Sequence, residues 1–193
     1  MKQLIFASNN RHKADEIRAL LNNRFEIITL KEAGIDIDIP EPHDTLEKNA
    51  SEKSSVIFKL TGKDCFSEDS GLEVEALNGA PGVKSARYAG VHANANENNE
   101  LLLQNMKNMS NRNAVFKTVI SLIINGNEYL FEGTCSGKIA LTPSGTGGFG
   151  YDPLFIPDGY DHTFATLGLD VKSAISHRKK AVEQMNAFLK TIL

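Results

Sequence analysis

Glu68-Asp69-Ser70-Gly71 sets two adjacent carboxylates beside a hydroxyl and a flexible glycine. Carboxylate oxygens are hard ligands, suited to a magnesium ion that also carries the phosphates of a substrate. A hydrophobic lead from Val56 to Phe66 runs into this group and places it at a strand end. On its own, the same tetrapeptide reads more readily as a solvated acidic turn. Glu41, directly after Pro40, is a further loop carboxylate that could face either a cleft or solvent.

Cations stand where helix physics does not favour them. Lys13 lies in the first turn of a helix, and His177-Arg178-Lys179-Lys180 fill the opening turn of another, for which Ser176 is the expected cap. Unpaired backbone N–H groups and the positive dipole end disfavour a cation there by about 0.3–1 kcal/mol. A bound polyanion would reverse the sign, since free N–H groups, a hydroxyl and a cation together make a phosphate site; a solvated surface is the alternative for each cluster. Lys53 shares a helical stripe with Leu46, Ala50 and Ile57. Its stem therefore packs inward, with the ammonium either snorkelling to water or meeting a phosphate.

Gly145 to Gly150 form a glycine-rich loop that ends in Gly148-Phe149-Gly150-Tyr151-Asp152. Glycines let backbone approach a ligand closely. The Gly-Lys-Ser/Thr ending of a Walker loop is absent. Phe149, between two glycines, can offer its ring to a planar base or bury it, and Asp152 can accept from a ring N–H or serve a metal.

The elements that must position these groups alternate. Leu4 to Ala7 reads as a buried strand, followed by a helix with Ala14, Ile17, Leu20 and Leu21 inward. Ile27 to Leu30 gives a second strand, and Ile35, Ile37 and Ile39 alternate with Asp36 and Asp38 up to Pro40. Asp44 with Glu47 predicts a helix start, and Gly62 follows the helix end near Leu60. The asparagine-rich stretch from Asn94 leads into a helix containing Leu101 to Met106. Asn125-Gly126-Asn127 predicts a hairpin, and the last helix, from about Ser176, turns Ala181, Met185, Phe188 or Leu189, and Ile192 inward.

At 193 residues, 41% hydrophobic and 23% charged, the chain fits one globular mixed α/β domain, residues 1–193, with the hairpin region available as a second lobe. A net charge of −3 gives no basic field for long nucleic acids, so any anion site must be local. Cys65 and Cys135 lack metal-ligand or disulfide spacing. The N-terminal apolar run is too short for a signal segment, and no stretch approaches the roughly 20 apolar residues of a membrane span. The expectation is a cytoplasmic protein.

Six segments in order closely resemble the inosine triphosphate pyrophosphatase family, the house-cleaning dITP/XTP pyrophosphatases. They are Ser8 to Lys13, Glu47 to Ala50, Glu68 to Leu72, Gly79 to Gly82 with Ser85 to Tyr88, Gly147 to Phe155, and Ser173 to Arg178. The resemblance implies a two-lobed α/β fold with a long central mixed β-sheet flanked by helices, a cleft between the lobes, and a homodimer. It implies magnesium-dependent hydrolysis of ITP, dITP and XTP to the monophosphate and pyrophosphate. By position, Ser8, Asn9, Asn10, Arg11, His12 and Lys13 would bind the triphosphate with help from Lys53. Glu41 and Asp69 would hold the metal, and Asp69 would take a proton from the attacking water. Ser70, Phe149, Gly150, Tyr151, Asp152, Lys172, His177 and Arg178 would line the nucleotide pocket, with Phe149 stacked on the base.

Three positions depart from the family pattern: Lys179 replaces a glycine, Glu68 stands where aspartate is commoner, and Thr166 to Asp170 is less acidic than usual. Base choice would rest on donors from His177 or Arg178 to a 6-oxo group, which adenine lacks. Two rivals remain. One is the septum-inhibitor type of nucleotide pyrophosphatase, against which the Ser-His-Arg segment and phenylalanine loop weigh. The other is a non-hydrolytic nucleotide- or RNA-binding module, against which Glu41 and Asp69 weigh, because carboxylates repel phosphates unless a metal intervenes.

Overall fold

The computed structural model describes residues 2–21 and 25–192. Among them, strands β1 (Lys2–Phe6), β2 (Phe25–Thr29), β3 (Cys65–Val74), β4 (Pro81–Gly82), β5 (Asn113–Ile124), β6 (Asn127–Ile139) and β7 (Phe155–Pro157) are interspersed with helices α1 (Arg11–Leu21), α2 (Leu46–Thr61), α3 (Ala95–Asn105), α4 (Phe164–Ile175) and α5 (His177–Ile192). The strands hydrogen-bond in the order β2-β1-β3-β5-β6-β7, with β4 on β3. Both β1 pairs are parallel, whereas β3–β4 and β6–β7 are antiparallel, so the sheet is mixed and helices accompany it as expected. The chain resolves into two compact units, one of Met1–Asp69, Thr118–Gly133 and Arg178–Leu193, the other of Ser70–Lys117 and Thr134–His177.

In the first unit the period-two alternation of strands sorts side chains into two clusters. Leu4, Phe6, Phe66, Ile120, Leu122 and Ile124 pack with Ala14, Ile17 and Leu21 of α1 and with Ala181, Val182, Met185 and Leu189 of α5. Ile5, Ala7, Cys65 and Ile123 pack with Ile57 of α2. The rings of Phe6 and Phe66, neighbours in the β1–β3 register, stack with centroids 4.8 Å apart. On the α2 side, the Ser67 hydroxyl donates to the Ala50 carbonyl, and Ser121 and Ser54 share a 2.6 Å hydrogen bond, so buried hydroxyls fasten that helix to the sheet.

The second unit is built around Leu72, Val74, Leu102, Met106, Ala114, Cys135 and Leu154, with Phe116, Phe155 and Phe164 in mutual ring contact. An Asn94–Glu97 capping box starts α3. Gly71 has no substitute here, because a Cβ on it would lie 2.4 Å from the Gly82 carbonyl oxygen.

Most predicted elements form where expected, including a hairpin whose turn residues Asn125 and Gly126 both have positive φ. Several expectations change. Glu68 to Gly71 lie within β3 rather than in a turn at a strand end, because Val56 to Thr61 complete α2 and the strand only begins at Cys65. The α2 cap is Thr45, whose hydroxyl accepts from the Lys48 N–H, instead of Asp44. Residues 35–39 alternate in polarity yet pair with no strand, and Ile37 is 36% exposed. Ile192 is 40% exposed, at the last turn of α5 where packing ends. Helix α4 was not foreseen, since Gly168 interrupts it with φ 83° and breaks the periodicity.

Candidate active site

The alternation that sorts the first core also sorts the two carboxylates. Phe66 faces α1 and α5 while Cys65 faces α2. Two and four residues on, Glu68 follows Phe66 and Asp69 follows Cys65. Glu68 accordingly meets Lys13 of α1, Nζ to Oε1 at 3.0 Å, and Arg178 of α5, whose Nε and Nη2 donate to Oε2 and Oε1 at 2.6 and 2.7 Å. Arg178 Nη1 donates to Glu16 of α1. Asp69 meets Lys53 of α2, whose Nζ lies 3.0 Å from Asp69 Oδ1 and 2.6 Å from Glu41 Oε1.

These contacts explain the two cation-bearing helix starts. Lys13 and Arg178 converge on one buried carboxylate, and Lys179 pairs with Glu183 one turn along α5 at 2.8 Å. Burial pushes the Glu68 carboxyl up, but the charges and hydrogen bonds of Arg178 and Lys13 outweigh it and hold the group well below its ordinary value. Burial works against the Lys53 ammonium, yet Asp69 and Glu41 more than compensate and raise its pKa. Asp69 differs from Glu68: burial raises its pKa, Lys53 and Lys13 pull it down, Glu41 adds to the rise, and the net direction is upward.

Ahead of α1, Ser8 Oγ accepts from the Asn10 N–H at 3.1 Å and Asn10 Oδ1 accepts from the Lys13 N–H at 3.1 Å, so Asn10 caps the helix. Asn9 Oδ1 accepts from the Lys31 N–H at 2.8 Å. Arg11 and His12 are exposed, and Ser8 and Lys13 are half-buried. The segment is thus a fixed loop that opens a helix whose first turn holds no acidic residue.

In the second unit, Asp152 organises the phenylalanine loop. Its Oδ2 accepts from the Phe149 N–H at 2.8 Å and from Lys172 Nζ at 2.6 Å, and Lys172 Nζ also lies 4.4 Å from the centre of the Phe149 ring. One face of Phe149 is therefore against an ammonium. Only glycine fits at 148, where a Cβ would come within 2.0 Å of Asp152 Oδ2. Tyr151 is buried in the core, its hydroxyl donating to the Ser85 carbonyl at 2.8 Å, and burial pushes its phenol pKa up. His177 is buried with its ring stacked on Phe116, centroids 4.7 Å apart, and Ser70 is half-buried on β3.

Sequence reasoning did not single out Glu16 or Asn99, and it gave Ser85 no role beyond its place in the segment Ser85 to Tyr88. Asn99 Nδ2 donates to the Gly150 carbonyl at 3.1 Å. Its only signal was the asparagine-rich stretch, which also reads as a helix start. Glu16 carried no signal beyond a charge on α1.

A divalent ion suits the acidic centre. Asp69 is 5% exposed, and its Oδ2 has no hydrogen-bond partner. A buried anionic oxygen left without a partner is costly unless a cation completes it. No group of three or more His, Cys, Asp or Glu residues capable of holding a metal occurs among the described residues. Two carboxylates with further oxygens from phosphate and water are what magnesium commonly takes.

Residues 4–188 match the family model of the Ham1 family. The chain belongs to the Ham1 family. A Flavobacterium johnsoniae protein named dITP/XTP pyrophosphatase is 49% identical over 183 residues, covering 95% of each chain. A Porphyromonas gingivalis protein of the same name is 50% identical over 190 residues, covering 98% of each. The solved structure of the Staphylococcus aureus Ham1 protein matches with a TM-score of 0.91 at 39% identity over the whole of both chains. The family and the mixed α/β fold, a mixed sheet flanked by helices, expected from the six segments are borne out.

Proposed function

We propose that this protein hydrolyses the non-standard purine nucleoside triphosphates ITP, dITP and XTP to monophosphate and pyrophosphate, removing them from the nucleotide pool. The observation that carries the reading is the Glu41–Lys53–Asp69 centre, its lysine and aspartate buried and its glutamate half-buried, in a chain matched over nearly its whole length by proteins named dITP/XTP pyrophosphatase. Glu41 and Asp69 would hold magnesium, which when bound supplies Lewis-acid polarisation of phosphoryl oxygens and neutralises developing charge.

The protein's own groups account for the rest. Asp69, buried beside Lys53, accepts the proton of the attacking water, and its raised pKa makes it a stronger base than an ordinary carboxylate. A bond forms from the water oxygen to the α-phosphorus, and the bond from that phosphorus to the bridging oxygen breaks, so pyrophosphate leaves. Lys13 and Lys53 stabilise the negative charge on the phosphates, with Ser8 to His12 orienting them. Phe149, Asp152, Lys172 and His177 recognise the base, with Ser70, Gly150, Tyr151 and Arg178 shaping the pocket that holds it. The protein acts in the cytoplasm as a homodimer.

The test is pyrophosphate release from ITP, XTP, dITP, ATP and GTP in parallel, with magnesium and with chelator, and with the nucleotide product identified. The expected result is magnesium-dependent conversion of the first three to monophosphates with ATP and GTP spared. Orthophosphate with a diphosphate product, or comparable turnover of ATP and ITP, refutes it. Light scattering on the same sample checks the dimer.

A further inference from the structure

We infer that Lys53 is a built-in placeholder for the metal: its ammonium spans Glu41 and Asp69 in the free protein, and a divalent ion enters only as that ammonium is drawn away. The inference rests on the assignment of Glu41 and Asp69 as metal ligands. Lys53 Nζ touches both carboxylates, at 2.6 and 3.0 Å, and is 7% exposed, so it does not reach solvent as a snorkelling lysine would. Without it, the buried Asp69 carboxylate and the half-buried Glu41 carboxylate would lose the cation that both contact. With it, Asp69 Oδ1 is taken while Oδ2 stays unpartnered. The site therefore holds one cation of the wrong valence and keeps one ligand atom in reserve.

A divalent ion binding Glu41 and Asp69 in this state must compete with the ammonium for Glu41 Oε1 and Asp69 Oδ1 and, at Asp69 Oδ2, meets its like charge. A polyphosphate changes the balance, because it offers Lys53 another anion and brings further oxygen ligands to the metal. Metal and nucleotide binding are then linked, each tightening the other through the release of one lysine. The free protein stays poorly loaded with metal, and the carboxylates are kept together for the substrate-borne ion.

The sign of one measurement separates this role from a purely structural one. Mn2+ is titrated into nucleotide-free protein, followed by calorimetry and by the electron paramagnetic resonance of free Mn2+. Lys53→Met removes the competitor and is expected to tighten Mn2+ at least tenfold, with the gain lost in the Lys53→Met/Glu41→Gln double variant. A lysine that merely holds the carboxylates in place predicts weaker binding after its removal. If wild type binds Mn2+ and Lys53→Met binds it equally or more weakly, the placeholder role is overturned while the metal assignment stands. If neither protein binds Mn2+, with or without inorganic pyrophosphate, both fall. Lys53→Gln, which keeps a hydrogen-bond donor, carries the same expectation should Lys53→Met not fold cooperatively.

Discussion

Replacing Arg178 by methionine tests whether the Glu68 network is held by charge. Arg178 is 1% exposed and Glu68 2%, and they meet through two nearly ideal contacts of 2.6 and 2.7 Å. Removing one partner of such a pair costs about 3–5 kcal/mol, since the other charge is left buried. Lys13, 3.0 Å from Glu68 Oε1, keeps part of the compensation, which places the expected loss near the lower end. For a chain of this size about 3 kcal/mol corresponds to a fall in Tm of roughly 6–12 °C. With no tryptophan in the sequence, urea unfolding is best followed by far-UV circular dichroism. The pH dependence supplies a second reading. Glu68 is held well below its ordinary 4.5 in the folded protein, so its stabilising contribution is fully present above that value and is lost as pH falls toward the lower folded one. Arg178→Met should therefore flatten the acid limb of the stability curve below about pH 4.5. The double variant Arg178→Met/Glu68→Leu, which removes both charges, should be more stable than Arg178→Met alone. A single-variant loss below about 1 kcal/mol, or additive losses in the double variant, would refute the reasoning.

Lys172→Met should strip the buried Asp152 carboxylate of its ammonium partner and cost about 3–5 kcal/mol, checked by urea unfolding, with Asp152→Asn in the same background recovering part of the loss. The Cys65 thiol, pushed up to about 12 first by burial and then by the nearby Asp64 charge, should not react with a disulfide reagent at pH 8 until denaturant is added, and rapid labelling of the native protein at that position would contradict its placement.

How much of this was readable in the sequence differs residue by residue. The α2 stripe of Leu46, Ala50, Lys53 and Ile57 was legible because helical spacing fixes a face, and all four are buried. What Lys53 meets on that face was not, because Glu41 lies 12 positions earlier and Asp69 16 later, and periodicity carries no information across such distances. The adjacency of Glu68 and Asp69 suggested one pair of ligands acting together. The strand they occupy sends them to opposite faces, and recognising this required knowing that β3 had already begun at Cys65. The odd charges at the two helix starts were correctly noticed, but their common carboxylate is separated from Arg178 by 110 residues of sequence. Helix α4 escaped because Gly168 interrupts the pattern that would have revealed it.

The division of labour on β3 also sets what kinds of change the protein can absorb. Glu68 belongs to a scaffold of Lys13, Arg178 and Glu16, and Asp69 to a chemical centre with Lys53 and Glu41, with one peptide bond between the two systems. Conservative substitutions in either system leave the other facing its own partners. Inserting or deleting one residue between Phe66 and Glu68 would exchange the faces, aiming the acidic chemistry at α5 and the scaffold carboxylate at α2, with every side chain still present. Variation in this stretch should therefore be rich in replacements and intolerant of changes in length.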